Sequence, residues 1–377
     1  MSVEIKTVKG SRDLHKFLQF RRDLFKGQPC YVPALLFDEL NTLNPKTNPA
    51  ASFCESELYL AYKDGRLVGK IAAIVNKKAN EAWNHNEVRF GWPDFIDDPE
   101  VSKALVDKVI EFGKARGMDT VVGPLGFTDF DPEGMLVEGF DKMSTMAMLY
   151  NLPYYPRHFE AMGFGKETDW IEYKIFIPDE INERYLRMSK VVEERSHVRI
   201  VPLTKEKIRK ENFARKLFNL INECYKNLYN YTVMPDDLAD KYIGFYLSVL
   251  DLKYISIIEN DKNEIVGFGI CMPSLAKALQ KTSGKLFPFG WYHILKAMKG
   301  KGVEGADMLL IGIRPDYQNQ GLNCLLFCDV FKKFKDSGFK WAETQAILED
   351  NLENLTLWRD FDKESDKRRR IFTKKID

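Results

Sequence analysis

Apolar and polar residues alternate from Val3 to Val8 and then recur at helical spacing from Asp13 to about Phe25. A period of two followed by a period near 3.6 predicts a half-buried strand and then an amphipathic helix. The same succession returns at Val198 to Leu203, before a helical pattern from about Lys205 to Tyr225. Leu58 to Val68 reads as a hairpin around Asp64-Gly65, and Tyr254 to Val266 repeats it around Asn260-Asp261. Turn residues between alternating apolar runs are the local signal for antiparallel pairing. Each half then carries an apolar-periodic helix closed by glycine and followed by a strand. These are Val101 to Arg116, Gly117 and Met118 to Val122, then Leu322 to Ser337, Gly338 and Phe339 to Ala346. A glycine past the last periodic residue is the usual helix stop.

The chain therefore contains one plan twice: strand, helix, hairpin, strand, helix, strand. Helices following strands within each half imply an α+β (mixed α/β) class, two tandem domains each built on a twisted mixed sheet flanked by helices. The expected division is 1–192 and 193–377, with the boundary near Ser189 to Arg195. The repeat spacing is nearly constant up to the hairpins and then lengthens. The surplus falls at about 273–301, where Leu275 to Leu279 and Trp291 to Met298 suggest two short helices. Phe287, Phe289 and Trp291 are much aromatic area for a bare loop, so a lid or an interdomain packing segment is expected there.

Composition narrows the function classes. The 377 residues carry 56 basic and 55 acidic side chains, a net charge of +1, so no global field gathers polyanions and nucleic acid is not an expected partner. No apolar run reaches the roughly 20 residues that span a bilayer, and Met1 to Lys6 lacks an apolar signal core. A soluble, cytoplasmic protein without a membrane partner is the expectation. Six cysteines fit reduced, mostly buried thiols, and Cys324 and Cys328 share a helix face as core residues. The five histidines are scattered, and no metal site is expected.

The most informative junction is the run Met308 to Ile313, followed by Arg314-Pro315-Asp316-Tyr317-Gln318-Asn319-Gln320-Gly321-Leu322-Asn323 and a helix. A turn opening into a helix N-terminus attracts phosphate oxygens, because free amides and the helix dipole both favour negative charge. Gly321 removes the Cβ that would block close approach. No Lys-Ser/Thr follows and the Gly-x-Gly-x-x-Gly spacing is absent, so neither a P-loop nor a dinucleotide turn is indicated.

This order of elements and this turn resemble the GNAT superfamily, acyltransferases that use acyl-coenzyme A. That family's Gln/Arg-x-x-Gly-x-Gly/Ala turn is matched by Gln318 and Gly321 and departs at Asn323. The resemblance implies that Ile313, Gln318, Asn319, Gln320, Gly321, Leu322, Asn323 and Asn351 hold acetyl-coenzyme A or another acyl-coenzyme A. The amide near Ile313 then serves as oxyanion donor. Asn351 opens a helix whose apolar face holds Leu355, Leu357 and Trp358, with Trp358 where the family often has an acidic tyrosine. Indole cannot protonate a thiolate. In the first half, Asn151 to Phe164 resembles the family's Asn, helix, Gly-Phe segment. Its cofactor turn, however, reads Ile96-Asp97-Asp98-Pro99-Glu100-Val101, and carboxylates at a helix start repel pyrophosphate. The first domain is thus expected to be degenerate.

Acyl transfer to an amine also needs a base. Glu343, with Asp307 as a second candidate, and Tyr231, with Tyr225 and Tyr229 nearby, are the residues assigned to the catalytic pocket, the acceptor being a small-molecule or peptide amine. A tandem GNAT-like scaffold without activity and a FemABX-like aminoacyl transferase are the alternative readings. The run Lys367 to Arg370 is expected to flank a final strand at Ile371-Phe372 rather than to bind anions.

Overall fold

The computed structural model describes residues 2–210, 212–236, 239, 242 and 250–376. In chain order the elements are β1 (Glu4–Thr7), α1 (Gly10–Leu24), α2 (Leu36–Leu43), β2 (Cys54–Lys63), β3 (Arg66–Asn76), α3 (Lys77–Trp83), β4 (Glu87–Phe95), α4 (Pro99–Lys114), β5 (Thr120–Gly123), β6 (Met135–Glu138), α5 (Tyr154–Ala161) and β7 (Gly165–Phe176). They continue with α6 (Glu183–Ser196), β8 (Val198–Val201), α7 (Lys205–Lys210), α8 (Phe213–Tyr225), β9 (Ile255–Asn260), β10 (Ile265–Pro273), α9 (Ala276–Thr282), α10 (Gly290–Met298), β11 (Gly305–Ile313), α11 (Leu322–Asp336), β12 (Trp341–Thr344), β13 (Ile347–Leu348), α12 (Leu352–Leu357) and β14 (Lys363–Lys375).

Two compact units emerge. Unit 1 comprises 1–171, 276–291 and 366–377, and unit 2 comprises 172–275 and 292–365. In unit 1 the strand order is β1-β2-β3-β4-β5-β14, antiparallel throughout except for the parallel pair β4–β5. In unit 2 the order is β8-β9-β10-β11-β12 and then the end of β7, again antiparallel except for β11–β12. The repeat in the sequence is thus a repeat in the pairing. The sixth strand is the exception to chain order: β7, from the first half, completes unit 2, and β14, from the end of the second half, completes unit 1.

Local chemistry explains the elements. Asp64 and Gly65 both take positive φ, 53° and 74°, which matches the right-handed twist of β2 and β3. In the second hairpin Asn260 accepts hydrogen bonds from the amides of Lys262 and Glu264, and Asn263 takes the positive φ. Gly117 and Gly338 each sit at φ 75° just past their helices, where a Cβ would be strained. The helical stretch expected as one from Lys205 to Tyr225 is two helices, with Asn212 at φ 49° preceding the second.

In unit 1, α4 and α5 bury Val101, Leu105, Val109 and Phe159 against the sheet residues Ile71, Val88 and Phe90, with Phe90 and Phe159 stacked at 4.7 Å. In unit 2, α11 buries Phe327, Val330, Phe331 and Phe334 beside Ile175, Cys271, Ala306 and Ala342. Trp358 joins this cluster, 4.9 Å from Phe327 between ring centroids. It is a core residue, so its indole is spent on packing.

The basic run lies inside β14 and is neutralised within unit 1. Asp169 accepts from Arg370 Nε at 2.8 Å and from Arg368 Nη1 at 3.1 Å, Lys367 pairs with Asp366, and Arg369 donates to the Leu149 carbonyl. Burial would raise the Asp169 pKa, but the two guanidinium groups hold it below the usual value. A depressed folded pKa stabilises the fold above the unfolded value and is lost as pH falls through the folded one. Asp169→Asn is therefore expected to lower stability by about 2 kcal/mol at neutral pH, with a smaller difference from wild type at acid pH, as read by urea titration at two pH values.

Candidate active site

The face of the unit 2 sheet opposite α11 carries the assigned chemistry. Ala306, Ala342, Ile175 and Cys271 lie among the α11 residues, so their neighbours along each strand point the other way. Those neighbours are Asp307, Glu343, Lys174 and Met272, which are directly opposite one another across β11, β12, β7 and β10. Asp307 is 1% exposed and Glu343 7%. Two carboxylates on adjacent strands, with an ammonium next in the row, make a polar strip in a buried setting. Lys174 also lies 5.0 Å over the Trp341 ring.

Phe268, two pleats from Met272 on the same face, lies 6.4 Å from Tyr225, which ends α8. The Tyr225 hydroxyl donates to the Ile311 carbonyl at 2.8 Å and accepts from the Ile311 amide at 3.1 Å. Burial raises its pKa, so it stays a neutral phenol able to do both. Tyr231 stands edge-on to Tyr225 at 6.0 Å, and its hydroxyl is 2.9 Å from Asn222 Oδ1. Tyr231, Tyr225 and Glu343 are thereby assigned by the packing to one face. Tyr225 was treated in the sequence as one aromatic among several; a local pattern carries no signal for a bond to a strand more than eighty residues away.

β11 has two irregularities that open this face. Leu309 has no partner on β10, because the register steps from Leu310 to Met308, and a bulge of this kind re-aims the strand. The parallel pairing with β12 runs only from Gly305↔Trp341 to Met308↔Thr344, while β11 continues to Ile313. Among the described residues, the last five of β11 thus have no strand beside one edge. Arg314 N–H bonds the Val266 carbonyl across β10, so by alternation Ile313 and Ile311 direct their amides and carbonyls to the open edge. There the Ile311 groups are held by Tyr225, and the Ile313 carbonyl accepts from Gln318 Nε2 at 3.1 Å and Cys224 Sγ at 3.4 Å.

If the Tyr225 hydroxyl caps this edge, Tyr225→Phe leaves two backbone groups unsatisfied. The expected cost is about 1–3 kcal/mol in urea unfolding.

The open edge leads into the turn. Pro315–Tyr317 form one short helical turn, Gln318 is extended, Asn319 has φ 60° and Gly321 has φ 86°. Gly321 occupies the cap position of α11 and brings no side chain to cap that end. The leading amides at Leu322 and Asn323 are therefore without a side-chain acceptor from the cap, as an anion site requires. A Cβ on Gly321 would come 3.1 Å from Val192 of α6. Arg195 of α6 donates to the Gln320 carbonyl at 2.6 Å, and Gln320 Nε2 to the Asp316 carbonyl at 2.9 Å. The Asn351 side chain caps α12, accepting from the Asn354 amide at 3.1 Å.

The corresponding helix start in unit 1 is already occupied. Asp98 caps α4, accepting from the Glu100 amide at 3.0 Å, and Lys63 bridges Asp98 and Glu100 at 2.7 and 2.8 Å. The Lys63 bond holds the Asp98 pKa below its ordinary value. Nearby, Ser102 Oγ, His158 and Asp97 form a chain of two 2.9 Å contacts. Ser102 is 1% exposed and shares a bond with the Pro99 carbonyl, so this trio fastens α5 to the start of α4.

A cavity of about 240 Å³ in unit 2 is lined by Phe176, Ile181, Tyr185, Phe327, Cys328 and Phe361. It lies on the α11 side of the sheet, away from Glu343. The Cys324 thiol donates to the Tyr185 carbonyl at 3.1 Å, and the neighbouring Cys324 lowers the Cys328 thiol while Cys324 itself is raised. Among the described residues, no helix is long and apolar enough to cross a membrane.

No protein-family profile matches the chain. It is 26% identical over 383 residues to Protein YghO of Escherichia coli (strain K12), across 99% of this chain and 95% of that one. It is also 26% identical over 349 residues to Bacterial ceramide synthase of Caulobacter vibrioides (strain NA1000 / CB15N), across 91% and 90%. Among solved structures, a tandem GNAT protein from the clavulanic acid biosynthesis pathway superposes with a TM-score of 0.58 at 12% identity, covering 100% of this chain and 99% of that one. A GCN5-related glucosamine N-acetyltransferase region of a fungal multi-domain β-N-acetylglucosaminidase superposes with a TM-score of 0.57 at 10% identity, covering 99% of this chain and 38% of that one. The fold is that of the tandem GNAT proteins.

Proposed function

We propose that the chain is an acyl-coenzyme A-dependent N-acyltransferase whose reaction site lies in unit 2. The observation that carries this reading is the open edge of β11 from Leu309 to Ile313, which ends at the uncapped start of α11 behind Gly321. An extended arm with amide groups pairs with such an edge as an added strand does, displacing the Tyr225 hydroxyl from the Ile311 groups, and pyrophosphate suits the amides at the helix start beyond it. We propose further that the acceptor is the amine of a long-chain amino alcohol. Support comes from the likeness, over nine-tenths of the chain, to a protein named for ceramide synthesis, since a ceramide is the N-acyl derivative of such an amine.

The residues then divide the work. Gln318 to Asn323 hold the cofactor's phosphates, and the Ile313 amide faces the developing oxyanion. Glu343 takes the ammonium proton, with Asp307 opposite it on β11. The amine forms the carbon–nitrogen bond as the carbon–sulfur bond breaks. Tyr231 and Tyr225 wall the pocket.

The test is incubation with palmitoyl-coenzyme A and sphinganine, followed by mass spectrometry and a thiol assay. Amide and free thiol in equal amounts are expected. Absence of both, with acetyl- and longer acyl-coenzyme A alike, would refute the reading.

A further inference from the structure

The segment expected to be a lid or an interdomain packing element joins a clamped helix to an exposed aromatic run. Its first helix is clamped: Leu275, Ala276 and Leu279 are buried, Gln280 Nε2 donates to the carbonyls of Pro29 and Tyr31, and the Leu36 amide bonds the Gly284 carbonyl. Beyond this clamp the chain turns its aromatic side outward. Phe287 is 81% exposed, Phe289 73%, Tyr292 55%, Leu295 47% and Trp291 46%. On α10 the opposite positions, Ile294 and Ala297, are buried, so the helix is anchored on one side and still apolar on the other. Phe37, one residue past the Leu36 contact, adds another exposed ring. Proteins rarely leave so many large apolar side chains uncovered along one short stretch of chain.

Charge indicates what covers it. Between Glu264 and Glu304 the sequence has no carboxylate, yet it has six lysines: Lys277, Lys281, Lys285, Lys296, Lys299 and Lys301. In a chain whose net charge is +1, this local excess is a feature of the segment. Lysines bordering outward-facing Trp, Tyr, Phe and Leu are the chemistry of a lipid headgroup boundary: aromatic rings sit at the interface and ammonium groups meet anionic lipid phosphates. A protein partner would need carboxylates and a complementary shape; a bilayer needs only a negative, apolar-backed surface.

We infer that residues 285–301 form a peripheral docking surface for anionic lipid bilayers. Among the described residues no helix is long and apolar enough to cross a membrane, so the contact is peripheral, and it stands independently of the acceptor assigned above.

Co-sedimentation of the full chain with vesicles tests it. Binding is expected to phosphatidylcholine vesicles containing about one-third phosphatidylglycerol, and much less to phosphatidylcholine alone. Salt near 0.5 M should release it, the screening length then being a few ångströms. The triple variant Phe287→Ser, Phe289→Ser, Leu295→Ser, all at exposed positions, should lower partitioning at least about tenfold with an unchanged circular dichroism melt. The variant Lys296→Gln, Lys299→Gln, Lys301→Gln should remove the preference for anionic lipid. Failure of the wild type to sediment, or equal binding by the serine variant, overturns the inference. So does a self-association in sedimentation velocity that the serine substitutions abolish while vesicle binding is absent, since a second copy would then cover the face.

Discussion

Gly321→Glu should abolish acyl-coenzyme A binding in a chain that still folds. Three effects act together at this position. A side chain at φ 86° costs roughly 1–2 kcal/mol of backbone strain, and its Cβ meets Val192 at 3.1 Å. The decisive effect is charge: a carboxylate at the cap of α11 occupies the amides and repels pyrophosphate. Affinity for palmitoyl-coenzyme A is expected to fall at least about 100-fold, the loss of two or more charge-assisted hydrogen bonds. The thermal stabilisation by that ligand should vanish with it. Gly321→Ala separates the causes, because it carries the strain without the charge. It should lower the melting temperature by a few degrees and keep most of the binding. Equal loss in both variants would mean that conformation, not the anion site, is responsible. Unit 1 shows the natural form of the glutamate change, with Asp98 capping α4 and Lys63 balancing it.

The second large effect falls on chemistry. Glu343→Gln keeps the size and planarity of the side chain on β12 and removes the base. The expected outcome is a fall in kcat of about 10²- to 10⁴-fold, with palmitoyl-coenzyme A binding within a factor of two or so of wild type. The rate should also recover partly at high pH, where more of the amine is already neutral. Loss of binding equal to the loss of rate would show that Glu343 merely holds the strip of Asp307, Glu343 and Lys174 together. Direct titration of the ligand by calorimetry distinguishes the two.

Much of this was legible because it is local. Asp64-Gly65, Gly117 and Gly338 announce their turns through the φ values they permit, and Gln318 to Asn323 announces a bare helix start. The two hairpins and the two glycine-closed helices expose the repeat. What stayed hidden depends on contacts between distant positions. Nothing near Gly165–Phe176 in the sequence says that the end of this strand pairs with β12, or that Lys363–Lys375 completes the sheet of the first unit. The role of Tyr225 follows from where β11 passes, and the neutralisation of Arg368 and Arg370 from Asp169 two hundred residues earlier. Asn351 has the residue type expected at a cofactor, yet its side chain caps its own helix. Trp358 has the spacing of a catalytic position but the surroundings of a core residue. The aromatic insertion stands out in the sequence for its area, whereas the exposure of its rings is visible only in the structure.

Of the two similar units, the second is the one proposed to bind acyl-coenzyme A. Calorimetric titration of the full chain with palmitoyl-coenzyme A below its micelle threshold measures this directly. One site per chain is predicted, lost in Gly321→Glu and retained when Glu100 of unit 1 is changed to Gln. Two sites, no site, or a single site that survives Gly321→Glu would contradict it.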